Sequence, residues 1–154
     1  HVLSRRQRQM CIRDRGYNIE SLAVAEVDAT KNISRITIVT TGTPQVIDQI
    51  KLQLKKLVPV HKVADFKRED KKVIFKEMAL LKIVGEKKKI EKSLKACKSY
   101  NPVILDKSNK SVVIQITALR REIDKMSKKL KALGLTSTSR TGAIAMTRGA
   151  EVFK

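Results

Sequence analysis

One apolar spacing occurs twice in this chain, 76 residues apart. Ile47, Ile50, Leu54 and Leu57 return as Ile123, Met126, Leu130 and Leu133; Asp48 returns as Asp124, and the Leu-Lys-Lys-Leu at 54–57 as Leu-Lys-Ala-Leu at 130–133. Upstream, Ile36 and Ile38 correspond to Val112 and Ile114. Each set of four falls on one face of a helix, and each upstream pair alternates as a strand does. Strand followed by amphipathic helix, used twice, points to two similar strand-and-helix units.

The remaining segments fill in those units. Tyr17–Val27 and Ile33–Thr40 are β-branched strands around the polar turn Asp28–Asn32. Thr43 is placed as helix N-cap with Pro44 in the first turn, and Pro59 ends that helix. Val58–Phe66 reads as a short strand and Lys67–Lys72 as a charged linker. Val73–Val84 is a long strand, after which Gly85 leads into a helix carrying Ile90, Leu94 and Cys97 on one face. Val103–Leu105 and Val112–Thr117 form a hairpin around Asp106–Lys110. A last helix, with Leu119 at its start, ends at Gly134, and Leu135–Met146 is extended. The expected class is α+β: two ferredoxin-like βαββαβ units, the first without its opening strand.

The charge is uneven. The net charge of +19 divides into +4 over residues 1–16, +1 over 17–66 and +14 over 67–154. Many lysines of the second half fall in Glu86–Lys98 and Arg120–Lys131, where they coat the outer faces of two helices. A solvated face is one reading and a polyanion-binding module the other. RNA readers built on a sheet stack bases on aromatics of the central strands. Here the central strands Arg35–Val39 and Ser111–Gln115 carry none, and aromatics are 3% of the chain. Nucleic acid is therefore not the expected partner.

No catalytic constellation is visible. There is no nucleophile elbow, phosphate loop or dinucleotide fingerprint. Two histidines and two cysteines at scattered positions match no metal motif. His61, within the Val58–Phe66 strand, is a partly exposed polar position rather than a general base, and Cys97, on an apolar stripe, a small core residue rather than a thiol activated by Lys95 and Lys98. No uncharged apolar stretch is long enough to span a bilayer, so the expectation is a cytoplasmic, soluble protein without cofactor.

Several stretches resemble one family in order along the chain. Arg15-Gly16-Tyr17-Asn18-Ile19-Glu20-Ser21-Leu22-Ala23-Val24, Ser34–Val39, Gln49–Leu57, Lys76–Ile83 and the closing Arg140-Thr141-Gly142-Ala143-Ile144-Ala145-Met146-Thr147-Arg148-Gly149 are similar to the small regulatory subunit of acetolactate (acetohydroxyacid) synthase. The resemblance implies an ACT domain over residues 1–66 and a smaller ferredoxin-like domain over 73–149. It also implies a homodimer through the ACT sheets and a thiamine-diphosphate-dependent large catalytic subunit as partner. Feedback by valine or another branched-chain amino acid would follow, in valine, isoleucine and leucine biosynthesis. An ACT regulator of another amino-acid pathway shares the fold but not the closing motif.

The implied effector site contains Asn18, Ile19, Val2 and Leu3. An amide such as that of Asn18 can donate to a carboxylate and accept from an ammonium group; the other reading of Asn18 is a turn cap. Residues 5–15 depart from the family and resemble translated adapter sequence, and His1 stands where a Pro-Gly-like turn normally precedes the first helix. The expectation is therefore a chain that keeps the family's architecture and binds valine far more weakly than a full-length relative.

Overall fold

A computed structural model of the chain describes residues 17–150 and Val152. The described residues divide into two compact units, one holding 17–74 with 146–150 and Val152, the other Phe75–Ala145.

In the first unit, β1 (Asn18–Asp28) and β2 (Ile33–Thr41) form an antiparallel hairpin. Its turn is held by Asp28, whose Oδ1 accepts from the Thr30 hydroxyl at 2.6 Å and from the N–H groups of Thr30 and Lys31. The Thr30 hydroxyl foremost among these donors favours the ionised carboxyl and lowers its pKa. Asn32 completes the reversal at φ 52°, a left-handed conformation that Asn tolerates. Leu22 pairs with Ile38 and Val24 with Ile36 on one face; Ser21 with Val39 and Ala23 with Thr37 on the other.

α1 (Pro44–Lys55) begins as its sequence dictates, with the Thr43 side chain accepting from the Val46 N–H and Pro44 in the first turn. It buries Ile50. The helix stops before Pro59, whose ring disfavours helical backbone at the residue preceding it; Leu57 N–H and Val60 N–H close turns onto Leu54 and Leu57. The strand expected over Val58–Phe66 does not form. Residues 60–67 run without regular structure, no ladder pairs them among the described residues, and Val58 is 98% exposed. An apolar run becomes a strand only where a neighbouring edge supplies hydrogen bonds and a face to bury it. His61, expected partly exposed on a strand, is exposed on this irregular segment.

The second unit realises the expected βαββαβ order. The chain runs β3 (Val73–Val84), α2 (Lys87–Cys97), a 3-10 turn at Lys98–Tyr100, β4 (Val103–Lys107), β5 (Ser111–Ala118), α3 (Arg120–Lys131) and β6 (Leu135–Arg140), with β7 (Ile144–Thr147) following; the first two residues of β3 and the last two of β7 are counted with the first unit. The sheet order is β4-β5-β3-β6, antiparallel at each of these pairings, and β7 also pairs β3. β3 is thus central. Its alternate residues Ala79, Leu81 and Ile83, with Val112, Ile114 and Ile116 of β5, meet Ile90 and Cys97 of α2 and Ile123, Met126 and Leu130 of α3 in one buried cluster. α3 starts with one half of a capping box: Glu122 accepts from the Leu119 N–H at 3.0 Å, while the apolar Leu119 side chain has no acceptor to return. It is followed by Gly134 at φ +101°, where an added Cβ would lie 2.4 Å from the Val84 carbonyl oxygen. Only glycine fits there. The architecture is α+β with ferredoxin-like units, as expected; β1, β2 and α1 correspond to β4, β5 and α3, and α1 and α3 have the same length at the same 76-residue offset.

Candidate effector site

Asn18 opens β1 directly across from Thr41, the last residue of β2, so it stands at the end of the hairpin where the chain turns through Gly42 into α1. Its Nδ2 donates to Thr41 Oγ1 at 3.0 Å, and the Thr40 hydroxyl donates to the Asn18 backbone carbonyl at 2.6 Å. The amide is thereby oriented by a cross-strand bond rather than by a turn cap. Ile19, half-buried beside it, pairs with Thr40. Gly42 keeps this corner tight: a Cβ there would sit 2.9 Å from Val46 Cγ1. The structure thus places Asn18 and Ile19 together with Thr40 and Thr41, whereas Val2 and Leu3 lie outside the described residues, as does the run 5–15.

The threonines escaped sequence reading because their role depends on strand register, which a single β-branched run does not reveal. Glu20 sits at the irregularity between Ile19 and Ser21, and its carboxylate meets the Arg68 guanidinium at 2.7 Å. That pair ties the charged linker back to β1.

The second unit holds a cluster that sequence reading also missed. Glu77, on the inward face of β3, is 2% exposed, and Arg140 of β6 grips it with both arms of its guanidinium, Nε to Oε1 at 2.9 Å and Nη2 to Oε2 at 2.7 Å. Arg140 Nη1 also donates to Asp124 of α3, and Arg120 Nη1 stands 4.0 Å from Glu77. The Glu77 carboxylate foremost, then Asp124, hold Arg140 in its charged form more firmly than usual. The first residue of the closing motif is therefore an ionic clamp joining β3, α3 and β6. The available signal was an arginine in a strand with an acidic residue at an inward position of β3 and another on α3, and spacing alone could not pair them.

Cys97 is fully buried, and burial pushes its thiol up to about 11. It is a core residue and not a nucleophile at neutral pH. Among the described residues no group of three or more His, Cys, Asp or Glu is placed to hold a metal ion, and no helix is long and apolar enough to cross a membrane.

Comparison with known proteins fits this geometry. Residues 76–149 match the family model described as the small subunit of acetolactate synthase, and residues 10–62 match that of an AHAS small subunit-like ACT domain. The chain is 33% identical over 138 residues to the acetolactate synthase small subunit of Aquifex aeolicus, covering 89% of this chain and 70% of that one. It is 29% identical over 135 residues to that of Mycobacterium bovis, covering 88% and 79%. The crystal structure of the acetolactate synthase small subunit from Thermotoga maritima superposes with a TM-score of 0.81 at 30% identity, covering 95% of this chain and 89% of that one. Two adjoining modules matched in order, and a solved structure superposing on nearly the whole chain, place this protein in the acetolactate synthase small subunit family.

Proposed function

We propose that this chain is a non-catalytic regulatory subunit that binds and stimulates the thiamine-diphosphate-dependent large subunit of acetolactate synthase in branched-chain amino acid biosynthesis in the cytoplasm. The observation that carries this is the match across both modules to proteins named as the small subunit of that enzyme. The regulatory module is assigned to residues 1–66 and the second to 73–149. Titrating the chain into its cognate large subunit should raise acetolactate formation from pyruvate to a plateau. An unchanged rate at saturating small subunit overturns the reading.

Feedback by valine or another branched-chain amino acid belongs to the same proposal, through a site at Asn18 and Ile19 completed by Val2 and Leu3 and by a second copy across the hairpin. What supports the pairing is that the apolar residues of β1 and β2 are half-buried or exposed in the single chain. What supports weak binding is that one of the two N–H donors of the Asn18 amide is already engaged by Thr41, and an effector must have both its ammonium and its carboxylate paired if it is to be buried. Calorimetric titration of residues 1–154 should show no submillimolar valine binding; submillimolar binding overturns the weak-binding part alone.

A further inference from the structure

We propose that the outer surface of α2 and α3 is the docking surface for an acidic protein face bearing an apolar side chain, and that this face belongs to the large subunit. The inference rests on the regulatory reading above and adds which surface carries the contact.

Both helices turn their apolar residues into one core against β3 and β5, so their opposite faces form one outward layer. Glu86–Lys98 carries six lysines against two glutamates, and Arg120–Lys131 carries six basic residues against two acidic ones. The acids of α3 do not neutralise that layer: Glu122 is spent on the Leu119 N–H and Asp124 on Arg140. Among the described residues, Lys88, Lys92 and Lys95 of α2 and Lys125, Lys128 and Lys129 of α3 stand in no ion pair. The two sets flank one core, into which α2 sends Ile90 and Cys97 and α3 sends Ile123, Met126 and Leu130.

The excess is local. In the first unit the α1 residue Lys51 is held 3.0 Å from both Asp48 and Asp65. On the opposite face of the second sheet, Lys76 and Lys82 of β3 stand on either side of the apolar pair Met78 and Leu80. A general lysine bias would have loaded all these surfaces alike.

The surface chemistry favours a protein over a nucleic acid. Along α2 lies a shallow hollow of about 500 Å³ lined by Lys88, Glu91, Lys92, Leu94, Lys95 and Lys98. Leu94 gives it an apolar floor, the lysines a cationic rim, and Glu91 a carboxylate that a phosphate backbone would repel. An apolar centre with a charged rim is how protein interfaces are built. Surfaces that bind single strands or read bases add exposed aromatics or arginine forks to their positive charge, and the one aromatic beside α2, Tyr100, is partly buried against the core. Charges at such a rim set association rate and salt dependence.

The experiment compares the full chain with Lys88→Glu/Lys92→Glu/Lys95→Glu, and with Lys76→Glu/Lys82→Glu as the control reversal on the other sheet face. All are checked for native circular dichroism, and Lys88→Gln/Lys92→Gln/Lys95→Gln serves as the milder variant if the reversal fails to fold. Affinity for the cognate large subunit is read from the titration of acetolactate formation at low and moderate salt. The triple reversal should weaken half-maximal stimulation about tenfold or more at low salt and flatten its salt dependence, while the control stays within about twofold. Leu94→Ala should weaken it equally at both salts. A triple reversal that stimulates like the parent overturns this inference and leaves the regulatory reading standing. A parent chain that does not engage the large subunit at any salt overturns both. Labelled single-stranded RNA or duplex DNA binding more tightly than the large subunit, with a steep salt slope, overturns it in favour of a polyanion site.

Discussion

The two units of this chain use the same strand–strand–helix succession and bury it very differently. In the second, β3 lies between β5 and β6, and Ala79, Leu81, Ile83, Val112 and Ile114 are fully buried. In the first, the described sheet has two strands, and none of Leu22, Val24, Ile36 or Ile38 reaches burial. Their apolar alternation is as good as that of β5. The difference is the central strand: β3 pairs along both edges and presents one face to two helices. Among the described residues a hairpin with one helix leaves apolar surface open, and two-stranded sheets are marginal alone. Local propensity makes these strands; the third partner makes the core.

The largest test of that contrast attacks the ionic clamp. Arg140→Ala leaves the Glu77 carboxylate buried without its bidentate partner, and should cost about 3–5 kcal/mol. Replacing both partners with Met removes the stranded charge and should recover most of that loss. Urea denaturation followed by circular dichroism measures both. If the single substitution costs no more than the double, the clamp contributes packing alone.

Next comes a pair of apolar truncations. Leu81→Ala opens a cavity in the closed core and should cost about 2–5 kcal/mol. Ile38→Ala, on a half-buried strand, should cost well under half as much, because its site was never fully removed from water. Amide hydrogen exchange should likewise show β3 and β5 protected far longer than β1 and β2. Equal losses for the two variants would mean that the first unit is closed by something the described residues do not include.

Periodicity made most of this fold legible. The two helices at equal spacing, the hairpin turns and the long strand β3 are all local patterns. Thr43, Pro44 and Gly134 marked ends because their backbone requirements are intrinsic. What sequence could not show depended on pairing. Val58–Phe66 has strand composition, yet its outcome rested on a neighbour. Asn18 was legible as a polar residue at a strand start, but its bond to Thr41 needed register. Glu77 and Arg140 stand 63 residues apart and meet only once β3 and β6 are side by side.

The closed core also has a pH signature. With its thiol pushed from an ordinary 9.0 up to about 11, Cys97 binds its proton more tightly in the folded state than in the unfolded one. Its contribution is therefore fully present below pH 9 and lost as pH rises from about 9 to about 11, on the order of 2 kcal/mol at the upper end. Stability measured across that window should fall, and Cys97→Ala, despite its lower baseline, should lose that slope. A thiol reagent at pH 8 should leave native Cys97 unmodified and label it in urea. Rapid labelling of the native chain would show a core more open than its burial implies.

The smallest expected effect inverts the comparison, because the less buried unit has the better-finished helix. α1 begins with Thr43 accepting from Val46 N–H, and the 3.4 Å length of that bond sets its worth low. α2 begins at Glu86, whose side chain makes no capping bond, and its first turn is Lys87, Lys88 and Lys89, charges that oppose the positive end of the helix dipole. Thr43→Ala should therefore destabilise the first unit by about 0.5–1 kcal/mol, and Glu86→Asp should stabilise the second by up to about 0.5 kcal/mol. Both changes lie within reach of urea midpoints measured on one preparation. If Glu86→Asp is neutral while Thr43→Ala is costly, the start of α2 is already held by its packing on β3 and β5. Burial in the second unit would then have replaced the local signal on which α1 still depends.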